Sequence, residues 1–198
     1  MARITVPVRM RWSDIDGYGH VNNAALFTLL EEARIATFWD AAAPADRSTG
    51  RAGDADSGSR TSHGRAEAAR SSAAGPSPLT AEQQTVESAE AARAVAGVLA
   101  GGAEADSHTL VARQEIEYLA PLDYTQDPVP VHLWIGRIGG ASLDVCYEVR
   151  SPAGQVCARA MSSVVLVDAH SGRPRRLTES ERAALETLLD DPIEFRRR

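Results

Sequence analysis

At 198 residues with 43% apolar side chains, the chain has the size of one domain with room for a core. Its formal charge is −6 and all 21 basic residues are arginine, which argues against a general nucleic-acid or anionic-membrane binder while leaving local arginine clusters able to meet phosphates. The start, MARITVPVRMRW, alternates apolar with charged residues, and no stretch reaches the roughly 18 apolar residues of a membrane span, so a soluble cytoplasmic protein is expected. Cys146 and Cys157, on neighbouring predicted strands without a secretory signal, suggest reduced thiols. With no C-x-x-C or clustered Cys/His spacing, no metal is implied.

Ile4, Val6, Val8 and Met10 alternate with polar residues and Pro7, the pattern of a half-buried strand at a sheet edge. Arg9 to Trp12 read as the end of that run. Ser13 to Gly19 carry turn chemistry, and Asn22 or Asn23 caps a helix whose apolar residues, from Leu26 to Trp39, cover too wide a face for a surface helix. Such a helix is normally enwrapped.

From Ala41 to Pro78 there is no Val, Ile, Leu, Met, Cys or aromatic residue, so this segment cannot bury a core and is expected to be disordered. A helix is expected over 79–100, opened by Thr80 and Gln83 in capping-box spacing and stopped by Gly101-Gly102. Its apolar stripe, Val86, Val95, Val98 and Leu99, is thin and suits weak packing or a partner. Strands then follow. Alternation predicts them over 110–118, 131–135, 143–149 and 155–167, with Gly139-Gly140 and Ser151 to Gly154 as turns. Residues 178–190 read as a short amphipathic helix begun by Thr178 and Glu181. One early helix followed by an antiparallel meander makes the class α+β.

The chemistry concentrates in RWSDIDGYGHVNNAALFTLLEEARIATF, residues 11–38. A carboxylate, Asp16, stands a few residues before a helix start, whose free N–H groups and positive dipole end can hold a carbonyl oxygen that is becoming negative. That is an acyl-transfer arrangement. Taken alone, Asp16 is a turn acid, His20 a hydrogen-bonded loop histidine and the two asparagines helix caps. Glu31, Glu32 and Arg34 have the spacing of helical salt bridges.

The run D-x-D-x-x-G-H-V-N-N before an E-E-A-R helix resembles the amino-terminal signature of the hotdog-fold acyl-CoA thioesterases, typified by 4-hydroxybenzoyl-CoA thioesterase. Residues 3–40 carry the likeness, and the strand pattern of 107–176 with the phrases EIEYLAPL and SGRP extends it. The resemblance implies an antiparallel sheet wrapped around the first helix. It implies a domain over 1–170 interrupted by an insertion at 41–106, and a tail over 171–198. It also implies hydrolysis of an acyl-CoA or acyl-carrier-protein thioester, with Asp16 as nucleophile or general base and the backbone N–H of Asn23 as oxyanion donor. His20 stands where the plant acyl-ACP thioesterases place a catalytic histidine and the 4-hydroxybenzoyl type does not. Tyr18 replaces an asparagine of the acyl-ACP enzymes, which leaves their water-positioning scheme open here. Tyr18, Gly19 and Asn22 join the substrate-binding set, and Asp14 is expected to bond loop backbone. Arg173, Arg175 and Arg176 either meet the nucleotide phosphates of coenzyme A or form an exposed basic tail. No cofactor is implied beyond coenzyme A as part of the substrate, and the partner is a second copy of the chain, as homodimer or homotetramer. Two alternatives keep the fold: a non-catalytic acyl-CoA-binding module, and a hydratase or dehydratase, for which no D-x-N-P-x-H-like run is present.

Overall fold

The structure is a computed structural model that describes residues 3–39, 90–96, 98–99 and 106–196. In chain order its elements are β1 (Ile4–Val8), one 3-10 turn (Trp12–Asp14), α1 (Asn23–Phe38), β2 (Ser107–Tyr118), β3 (Val129–Ile138), β4 (Ser142–Arg150), β5 (Val156–Asp168) and α2 (Glu179–Glu186). The five strands form one antiparallel sheet in the order β1-β3-β4-β5-β2. Together with α1 against one face, this is the α+β hotdog architecture.

Side-chain alternation sets the two faces. Ile4, Val6 and Val8 of β1 point inward, and Leu143, Val145, Tyr147 and Val149 of β4 do the same, whereas Asp144, Cys146 and Glu148 lie on the other face. Leu26, Leu29, Leu30, Ala33 and Phe38 of α1 fill the apolar side and join those strands in one core. Burying each such leucine or phenylalanine contributes about 1.5–3 kcal/mol, which is why a helix of modest amphipathicity is held at the centre. The prolines fit their places. Pro7 lies on edge strand β1 opposite Pro130, and Pro130 precedes the β4 ladder, which begins at Val131, so neither removes a needed donor from a central pairing.

Three findings correct the expectations. The first strand ends at Val8, and Arg9 to Trp12 do not continue it: the chain leaves the sheet and closes a 3-10 turn in which Arg11 N–H donates to Asp14 Oδ2 at 2.7 Å. Arg34 makes the expected helical ion pair with Glu31, but not from an open helix surface. It is 4% exposed, with Nη1 donating to the buried Tyr147 hydroxyl at 3.4 Å and Nη2 3.5 Å from Glu31, because a long arginine can bury its stem and still reach a carboxylate at the rim. Finally, the described part of the segment after the low-complexity run is helical at 90–95, and Ala91, Val95 and Leu99 are buried in this chain's own core. Its packing is therefore neither weak nor reserved for a partner. The expected disorder of 41–78 and the first half of the 79–100 helix lie outside the described residues.

The carboxy-terminal residues are part of the domain. The Thr178–Glu181 capping box opens α2, and Leu185 and Leu188 are fully buried. The segment after α2 then adds to the sheet beside β3, with Ile135 N–H donating to Leu188 O and Asp190 N–H donating to Ile135 O, each at 2.9 Å. Gly136 permits this close approach, since a Cβ there would meet Cys146 Sγ at 2.7 Å and Pro192 Cα at 3.1 Å. Among the described residues no helix is long and apolar enough to cross a membrane.

Candidate active site

The loop between the 3-10 turn and α1 is built by its own polar groups. Asp16 Oδ1 accepts the N–H of Tyr18 at 2.8 Å and of His20 at 3.2 Å, Asp16 N–H donates to His20 O, and Gly19 turns the chain at φ +86°, a conformation that favours glycine. The bland reading of Asp16 as a turn acid is therefore true of one oxygen. The other oxygen has no hydrogen bond from the described residues, and Asp16 lines a cleft of about 350 Å³.

A second loop faces the first. Val21 N–H donates to Leu122 O at 2.8 Å and His20 bridges Asp123, so the stretch after β2 is tied across the helix entrance. The cleft lies between these loops, walled by Val21, Leu26, Leu119, Pro121, Leu122 and Ala158, with its polar groups at Asp16, His20, Asn23 and Tyr118. This is an apolar pocket with a few convergent polar atoms, the usual form of a small-molecule site.

The helix end supplies donors. Of the first N–H groups of α1, Asn22 donates to Asp14 O at 2.8 Å and Ala24 to the Asn22 side chain at 2.8 Å. Asn23 N–H follows the cap residue, has no intrahelical partner by its position, and belongs to a residue that lines the cleft. The sequence-derived set thus divides. Asp16, His20 and Asn23 come together in the lining, Asn22 acts as the cap behind them, Gly19 forms the turn, and Tyr18 is 87% exposed outside the lining.

Sequence reading missed four contributors. Tyr118 closes one side and donates its hydroxyl to Asn23 O at 3.1 Å; burial pushes its phenol above the ordinary value of 10, so it stays a neutral donor. Leu122 contributes a wall and the backbone tie. Asp123 places Oδ1 3.7 Å from His20 Nε2. Cys157 also lines the cleft, but burial raises its thiol and Sγ donates to Pro121 O and Gln155 O, the opposite of an activated nucleophile. No local spacing marks these residues, although EIEYLAPLD contains three of them.

The arginine group behaves otherwise. Arg175 is held by both oxygens of Glu181, at 2.6 and 2.9 Å, and by Ser107, and its backbone pairs with Leu166, nine residues along β5 from Cys157, roughly 30 Å from the cleft. Within one protomer it is a structural clamp. Among the described residues no three His, Cys, Asp or Glu side chains converge as metal ligands.

A model of the thioesterase-like superfamily matches residues 10–185, most of the chain and all of this site. The chain belongs to the thioesterase-like superfamily. Solved structures agree on the fold: a predicted thioesterase from Bacillus stearothermophilus superposes with TM-score 0.57 at 20% identity, over 96% of this chain and 99% of that one. A Thermus thermophilus thioesterase complexed with coenzyme A and Zn gives 0.54 at 24% identity, covering 96% of each chain. A 1,4-dihydroxy-2-naphthoyl-CoA thioesterase from Synechocystis gives 0.53 at 15% identity, over 93% of this chain and 96% of that one. At such identities the likeness is one of fold. No curated protein sequence matches this chain significantly. Within the superfamily, the Asp16 loop and the α1 entrance are the parts whose chemistry has to be argued from this chain's own residues.

Proposed function

We propose that the protein hydrolyses an acyl thioester, of coenzyme A or of an acyl carrier, to the free acid and thiol. The observation that carries this reading is one cleft shared by the Asp16 carboxylate and the uncapped Asn23 N–H at the positive end of α1. The thioester oxygen accepts from Asn23 N–H while the carbon faces Asp16. In one course, a carboxylate oxygen of Asp16 bonds to the carbon, the C–S bond breaks with its electron pair leaving on sulfur, and water then cleaves the mixed anhydride and restores the carboxylate. In the other, Asp16 takes a proton from water as the water oxygen attacks, and the thiolate leaves with the same electron pair. Both need the same carboxylate, held by the N–H groups of Tyr18 and His20. His20, steered by Asp123, borders the reacting centre. The superfamily match and the presence of Asp16 support this reading against a non-catalytic module, and the coenzyme A bound to the Thermus protein supports coenzyme A as the thiol carrier.

We also propose a homodimer built on β2. This strand lies at the sheet edge for twelve residues, ends at the cleft, and exposes Leu110 by 56% and Val111 by 42%. Antiparallel pairing with a second copy about Gln114 sets Arg113 opposite Glu115 of the partner subunit and Leu110 beside Tyr118 of the partner subunit, whereas pairing about Arg113 or Glu115 sets like charges together.

A thiol-release screen across aromatic and aliphatic acyl-CoAs tests the function. Wild-type protein should release thiol from at least one class, and Asp16→Asn should lower kcat roughly 10²-fold or more with the fold retained. Near wild-type turnover by the variant would exclude the mechanism.

A further inference from the structure

Tyr118 and Asn23 lie 95 positions apart in sequence, yet the phenol hydroxyl is 3.1 Å from the main-chain oxygen of Asn23, the first residue of α1, and both residues line the cleft. That placement is unusual for a structural tyrosine. A fully structural phenol is buried and spends its hydroxyl on a group with no other partner, but Tyr118 is 45% exposed, and the Asn23 carbonyl, by its position in the first turn of α1, belongs to the helical ladder just after that of Asn22. The hydroxyl therefore serves an acceptor that does not depend on it. It can rotate about its C–O bond toward another oxygen at the helix entrance without leaving a buried group orphaned. Its ring is fixed by the last position of β2, where Tyr118 pairs with Ala158, itself a wall of the cleft.

Resting on the thioesterase reading, we propose that the Tyr118 hydroxyl is a second hydrogen-bond donor to the thioester oxygen, so that the oxyanion site is Asn23 N–H together with Tyr118 Oη–H. One backbone N–H opposite Asp16 leaves a developing negative oxygen half-solvated, and a neutral phenol at the same helix end supplies the missing donor without adding a charge that would pair with Asp16. The groups around the hydroxyl agree with this role. Asp16 and His20 share the cleft, Asp123 is drawn toward His20, and among the described residues no arginine lines the cleft to stabilise the oxygen instead. Because burial raises the phenol, the donor persists through neutral and mildly alkaline pH.

Tyr118→Phe removes only the hydroxyl and keeps the ring that shapes the cleft. With an acyl-CoA that the wild type turns over, kcat should fall about 10- to 10²-fold, as when one oxyanion donor is lost, while KM changes less than about twofold. The melting temperature should stay within about 2 °C of wild type. A Tyr118→Phe enzyme with wild-type kcat, or one whose loss appears only as raised KM and lowered melting temperature, would overturn the role of Tyr118 while the thioesterase reading stands. Absence of turnover in the wild type over the whole acyl series would overturn both.

Discussion

The two edges of this sheet are handled in opposite ways. At the β1 edge the chain covers itself: the strand is five residues long, carries Pro7, and is followed along β3 by residues 188–190, with Trp134 Nε1 donating to Asp191 O at 2.8 Å and Arg3 lying 4.0 Å over the Trp134 ring. At the β2 edge a twelve-residue strand with exposed Leu110 and Val111 has no neighbour within the described chain, and the cleft lies at its end. Edges that proteins leave long and apolar are pairing surfaces, and those they blunt are not. On the reading proposed above, the side of this sheet that the chain leaves uncovered is the one that meets a partner and borders the cleft, while the covered side carries stability.

The largest expected effect is at the open edge. In the proposed dimer, Glu115→Arg sets one arginine opposite Arg113 of the partner subunit at each of the two symmetry-related contacts and should raise the dimer dissociation constant at least about tenfold, with specific activity falling on dilution. Adding Arg113→Glu restores the opposite charges and should restore the dimer. Light scattering that shows a fully active monomer at every concentration would break the comparison.

The closed edge should respond in stability without changing assembly or kcat. Gly136→Ala drives a methyl group to within 2.7 Å of Cys146 Sγ and against Pro192, and should cost about 1–3 kcal/mol on thermal or urea unfolding. Thr178→Ala, which opens the capping box of α2, should cost about 1 kcal/mol by the same measurement. If either lowers kcat as much as Asp16→Asn does, the separation of roles between the two edges is wrong.

The smallest effect is a pH dependence at Arg3–Asp190, whose atoms are 2.8 Å apart on the closed edge. Burial favours the neutral acid, but the Arg3 bond and the Asp191 N–H outweigh it and hold Asp190 below the ordinary 3.8. A depressed carboxyl contributes stability that is present above the unfolded-state value and lost as pH falls through the folded one. Asp190→Asn should therefore lower the melting temperature at pH 7 and converge with wild type as pH falls through the depressed folded-state value, a difference of at most about 1 kcal/mol because the pair is partly solvent-exposed. Curves that stay parallel to acid pH would deny the ion pair its role.

Much of this molecule is legible without coordinates. Alternation located all five strands to within a few residues, the Thr178 and Glu181 spacing located α2, and the Asp16-to-Asn23 run marked both the loop and the helix cap. Each is announced by a local pattern, a two-residue alternation or a cap spacing that closes within about four residues, so residue type and spacing reveal it even where the strand partners are distant. The partners supplied by distant chain were decided by packing. Arg34 makes the Glu31 ion pair that its spacing suggests, but the sheet also buries it against Tyr147; Arg175 resembles a phosphate ligand, yet Glu181 and Ser107 occupy it. Tyr118, Leu122 and Asp123 reach the Asp16 loop only because β2 runs antiparallel to β5 and ends beside the α1 entrance. A hydroxyl bonded to a carbonyl 95 positions away leaves no periodic trace in sequence. Such contacts depend on register and on which face of α1 the sheet encloses, and those are properties of the whole packed core.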